Sequence, residues 1–157
     1  RCNLCAAVLT YFEDLIMHPF GNFVVSRMAQ HADPSVYDFL ASYLENPELL
    51  FRCVDDKFGS HVYEAFVKHA PSEPLFRVAR ALLRDNDTIL RIATSKISNY
   101  PLQATLRQML LIDSSHELSQ WSLESIPAIV LGTKFATNIN RALGFRATSE
   151  RTSEKTR

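Results

Sequence analysis

Pro19-Phe20-Gly21-Asn22-Phe23-Val24-Val25-Ser26-Arg27-Met28 has a second copy further along the chain, Lys57-Phe58-Gly59-Ser60-His61-Val62-Tyr63-Glu64-Ala65-Phe66. Both run on to a His-Ala pair, His31-Ala32 and His69-Ala70, with Pro34 or Pro71 soon after. The offset is 38 residues. A weaker copy lies 39 residues on, Lys96-Ile97-Ser98-Asn99-Tyr100-Pro101-Leu102-Gln103-Ala104-Thr105. A fourth follows after another 38, Lys134-Phe135-Ala136-Thr137-Asn138-Ile139-Asn140-Arg141-Ala142-Leu143. Spacing this regular is the signature of a repeat architecture, in which each unit buries its apolar face only by stacking on its neighbours.

The units are helical. Apolar residues recur three and four apart, as in Val36, Phe39, Leu40, Tyr43 and Leu44, and breakers fall at Asp33-Pro34, Asn46-Pro47, Ala70-Pro71 and Asp85-Asn86. No alternating β-branched run or Asn-Gly hairpin signal is present. The reading is all-α: about ten short helices forming an α-solenoid of about four repeats over residues 1–146. The central helices fall near 20–31, 58–69, 98–110 and 135–145. Residues 147–157 carry no large apolar residue and read as a disordered tail. The chain starts at Arg1 rather than Met, which suggests a piece of a longer repeat protein.

Composition agrees with an ordered chain. Of 157 residues 46% are hydrophobic and 22% charged, which excludes intrinsic disorder as the overall state. The net charge is zero, from 17 basic and 17 acidic residues. That balance hides an asymmetry: residues 1–73 hold 5 basic and 10 acidic residues, residues 74–157 hold 12 and 7. No apolar run approaches the roughly 20 residues of a membrane span, so a membrane partner is not expected. The three cysteines, Cys2, Cys5 and Cys53, cannot all pair, which favours a reduced, intracellular setting.

Numbering the central helix from Asn22, Ser60, Asn99 and Thr137, the first, second and fifth residues should lie close together and face outward. The intervening third residue (Val24, Val62, Pro101, Ile139) should point to the core. The sets are Asn22, Phe23 and Ser26; Ser60, His61 and Glu64; Asn99, Tyr100 and Gln103; and Thr137, Asn138 and Arg141. Each pairs two polar side chains with a planar one. An unstacked base can hydrogen-bond its edge to the polar pair and lay its face on the planar group. One base per repeat follows. Lys57, Lys96 and Lys134 recur three residues before the helix start and suit phosphate contacts.

The stretches His18-Pro19-Phe20-Gly21-Asn22-Phe23-Val24-Val25 and Phe58-Gly59-Ser60-His61-Val62-Tyr63-Glu64 resemble the central-helix motif of the pumilio (PUF) family of RNA-binding repeat proteins. The resemblance covers about residues 3–146. It implies that the first and fifth residues read a base edge and that Phe23, His61, Tyr100 and Asn138 stack. It further implies a uracil-reading set in Asn99, Gln103 and Tyr100, and a guanine-reading set in Ser60, Glu64 and His61. Ser26 is shorter than the Gln or Glu of the family pattern, and Thr137 with Arg141 is an unusual pair. The divergence of the copies is similar to the nucleolar pumilio-like proteins of ribosome biogenesis. The resemblance therefore implies single-stranded RNA as partner, in rRNA processing or post-transcriptional control of mRNA, with a nucleolar or nuclear address favoured over the cytoplasm. The alternative is a protein-binding solenoid scaffold within a ribonucleoprotein assembly.

Other chemistry is poorly supported. Cys2-x-x-Cys5 has zinc-ligand spacing, but no second Cys or His pair follows, so buried helix cysteines are the better reading. His31 and His69 occupy equivalent places near helix ends, which suits capping. With four glycines in all, and no nucleophile elbow, phosphate loop or HExxH, no enzyme and no cofactor are expected.

Overall fold

The computed structural model describes residues 7–31 and 33–145. Cys2, Cys5, Ala32 and residues 147–157 lie outside the described residues. After a helical stretch at residues 7–10, the helices are α1 (Phe12–Ile16), α2 (Gly21–Gln30), α3 (Pro34–Leu44), α4 (Pro47–Asp55), α5 (Gly59–His69), α6 (Ser72–Leu82), α7 (Asn86–Thr94), α8 (Asn99–Ile112), α9 (Glu117–Ile129) and α10 (Ala136–Ala142). Among the described residues there is no strand, and the fold is the all-α solenoid expected from the spacing.

The breakers set the helix starts. Pro34 and Pro47 begin α3 and α4, where a missing N–H costs nothing. The Asn46 side chain accepts from the Glu48 and Leu49 amides, and Asp85 accepts from that of Thr88. Pro101 sits in the first turn of α8 and is buried there without breaking it.

The central helices α2, α5, α8 and α10 pack side by side in chain order, and α3, α6 and α4 flank them. Their inner faces merge into one continuous apolar cluster that includes Val25, Leu40, Leu50, Val54, Phe66, Leu75, Ile92, Leu102, Met109 and Ile126. Trp121 is partly buried against it. Directional bonds tie neighbouring units. The Tyr63 hydroxyl meets Thr105 Oγ1 at 2.9 Å between α5 and α8. Arg77 of α6 donates Nη2 and Nε to Glu45, at 2.6 and 2.9 Å.

Of the third-position residues, Val62, Pro101 and Ile139 are buried, but Val24 is 46% exposed. The inward reading of that position therefore fails in the first copy. Its helix α2 has a central-helix neighbour, α5, on one side, whereas α5 itself is flanked by both α2 and α8.

Candidate nucleic-acid interface

Each central helix is entered through the same turn. Its first backbone amides need acceptors, and in the first three copies a side chain four residues before the numbered helix start supplies one. His18 Nδ1 accepts from the Phe20 and Gly21 amides at 3.2 and 3.1 Å. Asp56 Oδ1 accepts from Phe58 and Gly59 at 2.8 and 2.7 Å. Ser95 Oγ accepts from Ile97 and Ser98, both at 3.1 Å. In the fourth copy Thr133 holds that place, and its carbonyl accepts from the Ala136 amide. This recurring acceptor was legible in the 38- and 39-residue spacing, yet the motif comparison passes over Asp56 and Ser95.

The turn also claims the first residue of the helix. Asn22 Nδ2 donates to the carbonyls of His18 and Pro19, at 2.8 and 3.0 Å. Ser60 Oγ donates to Lys57 O at 3.1 Å, and Asn99 Nδ2 to Ser95 O at 2.7 Å. All three side chains are buried. The expectation that the first, second and fifth residues face outward together therefore does not hold in the first three copies. Only Thr137 of the fourth copy is exposed at the first position.

The second residues stand clear of the surface in every copy. Phe23 is 68% and Tyr100 58% exposed, and His61 and Asn138 are exposed as well. They lie on adjacent central helices and form a row across the stack. The geometry is simple: a residue one step along a helix is turned about 100° from its predecessor, so a buried first residue puts the second at the rim.

The fifth residues differ in access. Ser26 and Glu64 are half-buried, Gln103 is nearly buried and Arg141 is exposed. Burial pushes the Glu64 carboxyl above its usual range, while His61 and Arg107 pull it partly back. Gln103 Nε2 donates to Asn99 Oδ1 at 2.9 Å, and its Oε1 accepts from Arg107 Nη2 at 3.1 Å. Arg107 was missed by the sequence reading, although it lies one further turn along the face that carries Asn99 and Gln103. Lys57, Lys96 and Lys134 are exposed beside the helix entries, with Lys57 and Lys134 poised over the Phe58 and Phe135 rings at 5.5 and 5.6 Å.

The remaining candidates are structural. His31 caps the end of α2 with its backbone N–H on Met28 O, and His69 is the last residue of α5. His116 caps α9 through Nδ1 and stacks on Phe76, with ring centres 3.7 Å apart. Cys53 is buried with its thiol pushed up to about 12, mainly by burial, so it is not a thiolate nucleophile. Among the described residues no group of three His, Cys, Asp or Glu could hold a metal ion, and no helix is long and apolar enough to cross a membrane.

No family model matches the chain. It is 30% identical over 133 residues, 82% of its length, to the Pumilio homology domain family member 4 of Saccharomyces cerevisiae, and spans 14% of that protein. Its fold superposes on PUF-8 in complex with PBE-RNA, with a TM-score of 0.66 and 15% identity, over 90% of this chain and 41% of that one. It also superposes on the RNA-binding domain of yeast Puf5p bound to SMX2 RNA, with a TM-score of 0.67 and 13% identity, over 89% and 39%. The repeated motif, the row of stacked central helices and these likenesses agree: the chain is a pumilio-like (PUF-like) repeat protein.

Proposed function

We propose that the chain binds single-stranded RNA along the row of central helices. The observation that carries this reading is the alignment of Phe23, His61, Tyr100 and Asn138, exposed at the same position of four adjacent helices. A base face stacks on a planar group in a way that tolerates sequence. Glu64, Gln103 and Arg141 then face the base edges, and Lys57, Lys96 and Lys134 the phosphates. The relatives in the two matched structures hold RNA, which supports the same ligand here. Nothing in this role calls for catalysis or a cofactor.

Fluorescence anisotropy with labelled single-stranded RNA octamers at fixed salt tests the reading. Tyr100→Ala should weaken binding by about 1–3 kcal/mol, the worth of one base–aromatic stack. No binding of any octamer by the folded chain would refute it. The divergence of the four copies supports service in ribosome biogenesis, and a nucleolar address, ahead of control of messenger RNA. Crosslinking and sequencing of bound RNA separates the two.

A protein partner is a second reading, supported by Leu111 and Leu131, both about four-fifths exposed in the second half of the chain. Recovery of a stable protein complex that survives nuclease treatment would favour it, and recovery of RNA alone would count against it.

A further inference from the structure

Successive units of the stack meet through one recurring interface. Tyr63, the fourth residue of the central helix α5, meets Thr105, the seventh of α8, at 2.9 Å. Phe66, the seventh residue of α5, rests on Tyr37 of α3 in the preceding unit, with ring centres 6.3 Å apart. The seventh residue therefore faces the preceding unit. The third residue lies one turn earlier on the same face, and the residue two before the numbered start lies another turn back. Along this stripe the first copy differs from the others. The seventh residues Phe66, Thr105 and Leu143 are buried, whereas Met28 is half-buried. The third residues Val62, Pro101 and Ile139 are buried, whereas Val24 is 46% exposed. One turn earlier, Phe58, Ile97 and Phe135 are half-buried, whereas Phe20 is 77% exposed. All three residues of the α2 stripe are thus apolar, and each is more open than its three counterparts.

We propose that a further helical repeat of the same polypeptide docks on Phe20, Val24 and Met28, through apolar side chains at the fourth and eighth positions of its own central helix. This goes beyond the RNA-binding reading and does not depend on it. The partner's chemistry follows from the faces that already meet this stripe. The eighth residue lies one turn beyond the fourth, on the face turned to the next unit. There α2 offers Val25 and Ala29, α5 offers Tyr63 and Val67, and α8 offers Leu102 and Leu106, all buried. A repeat that ends a stack carries a polar outer face. The outer face of α2 is apolar, which is the character of an internal repeat. A second copy joined head to tail does not supply the match. At the fourth and eighth positions α10 carries Asn140 and Gly144, a polar side chain and none at all. Left uncovered, an apolar face of this kind is a site of association.

The test is amide hydrogen exchange, without RNA, on the natural full-length polypeptide and on the 157-residue chain alone. In the full-length polypeptide α2 should exchange at least about tenfold more slowly than in the chain alone, the effect of burying one side chain the size of Val or Met. The exchange of α8 should be alike in both. Val24→Asp should abolish the added protection of α2 in the full-length polypeptide. In the chain alone the same variant should leave α2 and α8 nearly unchanged, since Val24 already meets solvent there. Equal exchange of α2 in the two forms overturns the proposal, and so does a natural polypeptide no longer than this chain. Sedimentation of the 157-residue chain covers the other occupant. A dimer that Val24→Asp dissociates means that a second copy covers the stripe, and the proposal falls.

Discussion

Of the four glycines, Gly59 has the tightest backbone neighbour, and Gly59→Ala probes it. A Cβ built at Gly59 falls 2.5 Å from the carbonyl oxygen of Cys53, 3.1 Å from its Cα and 3.2 Å from its carbonyl carbon. All three are backbone atoms of α4, so no rotamer change relieves the clash. Restoring ordinary contact requires α4 to move off α5 by about 1 Å. That shift loosens the buried Leu50, Cys53 and Val54 and stretches the 3.3 Å bond from Cys53 Sγ to Gly59 O. Overpacking of this kind costs about 1–3 kcal/mol. The gain in helix propensity is at most about 1 kcal/mol and smaller in a first turn. The net expectation is a loss of about 2 kcal/mol, read as a lower urea midpoint by circular dichroism. Gly132→Ala is the control, since Gly132 has a φ of +83° with nothing within 4 Å of its built Cβ. It should lose about 1 kcal/mol from the left-handed backbone alone. If Gly59→Ala unfolds at the wild-type midpoint, the helices separate at no cost and the close-approach argument is wrong.

The Tyr63–Thr105 bond between the second and third repeats gives a double-mutant cycle. Thr105 already donates to Pro101 O, so Tyr63 is the donor of the pair. Tyr63→Phe should cost about 1 kcal/mol, whereas Thr105→Val strands a buried hydroxyl and should cost about 1–3. The double variant should lose less than the two single losses together, and strict additivity would show that the two groups do not interact. Arg77 holds the Glu45 carboxyl below its ordinary range by direct hydrogen bonds. A depressed folded value means the stabilisation is complete above the unfolded value of about 4.3 and disappears as pH falls through the folded one. Glu45 is 37% exposed, so the effect is at most about 1 kcal/mol. The melting temperature of wild type minus that of Glu45→Gln should therefore shrink on acidification from about pH 5 to 3, and a constant difference would contradict the assignment.

Much of the fold was legible because the signals that carry it are local and repeat. Breakers mark where several helices start, and the central-helix motif returns every 38 or 39 residues, so the solenoid follows from that spacing together with the helical periodicity. Exposure of Phe23, His61, Tyr100 and Asn138 was legible too, although the same helical-angle reading failed for the first residues beside Phe23, His61 and Tyr100. What the sequence concealed is competition for the first position. Asn22, Ser60 and Asn99 carry the groups a base edge would use, yet each lies within reach of carbonyls in its own entry turn, and in a buried turn an unmet donor costs more than a solvent-facing one. Nothing in residue type distinguishes an Asn that reads from an Asn that caps; only the distance to His18 O or Ser95 O does.

That competition has a consequence for how such an array discriminates. If the entry turn holds the first residue, recognition rests on the second and fifth residues. The four copies then differ where recognition differs: Ser26, Glu64, Gln103 and Arg141 are chemically unlike, while the turn acceptors His18, Asp56 and Ser95 differ in type but do the same work. The entry turn constrains the first residue of each central helix, and variation at an exposed second or fifth residue can alter base preference without disturbing that turn. A substitution such as Arg141→Ala should therefore change what is bound and leave stability nearly untouched, whereas Gly59→Ala should do the reverse.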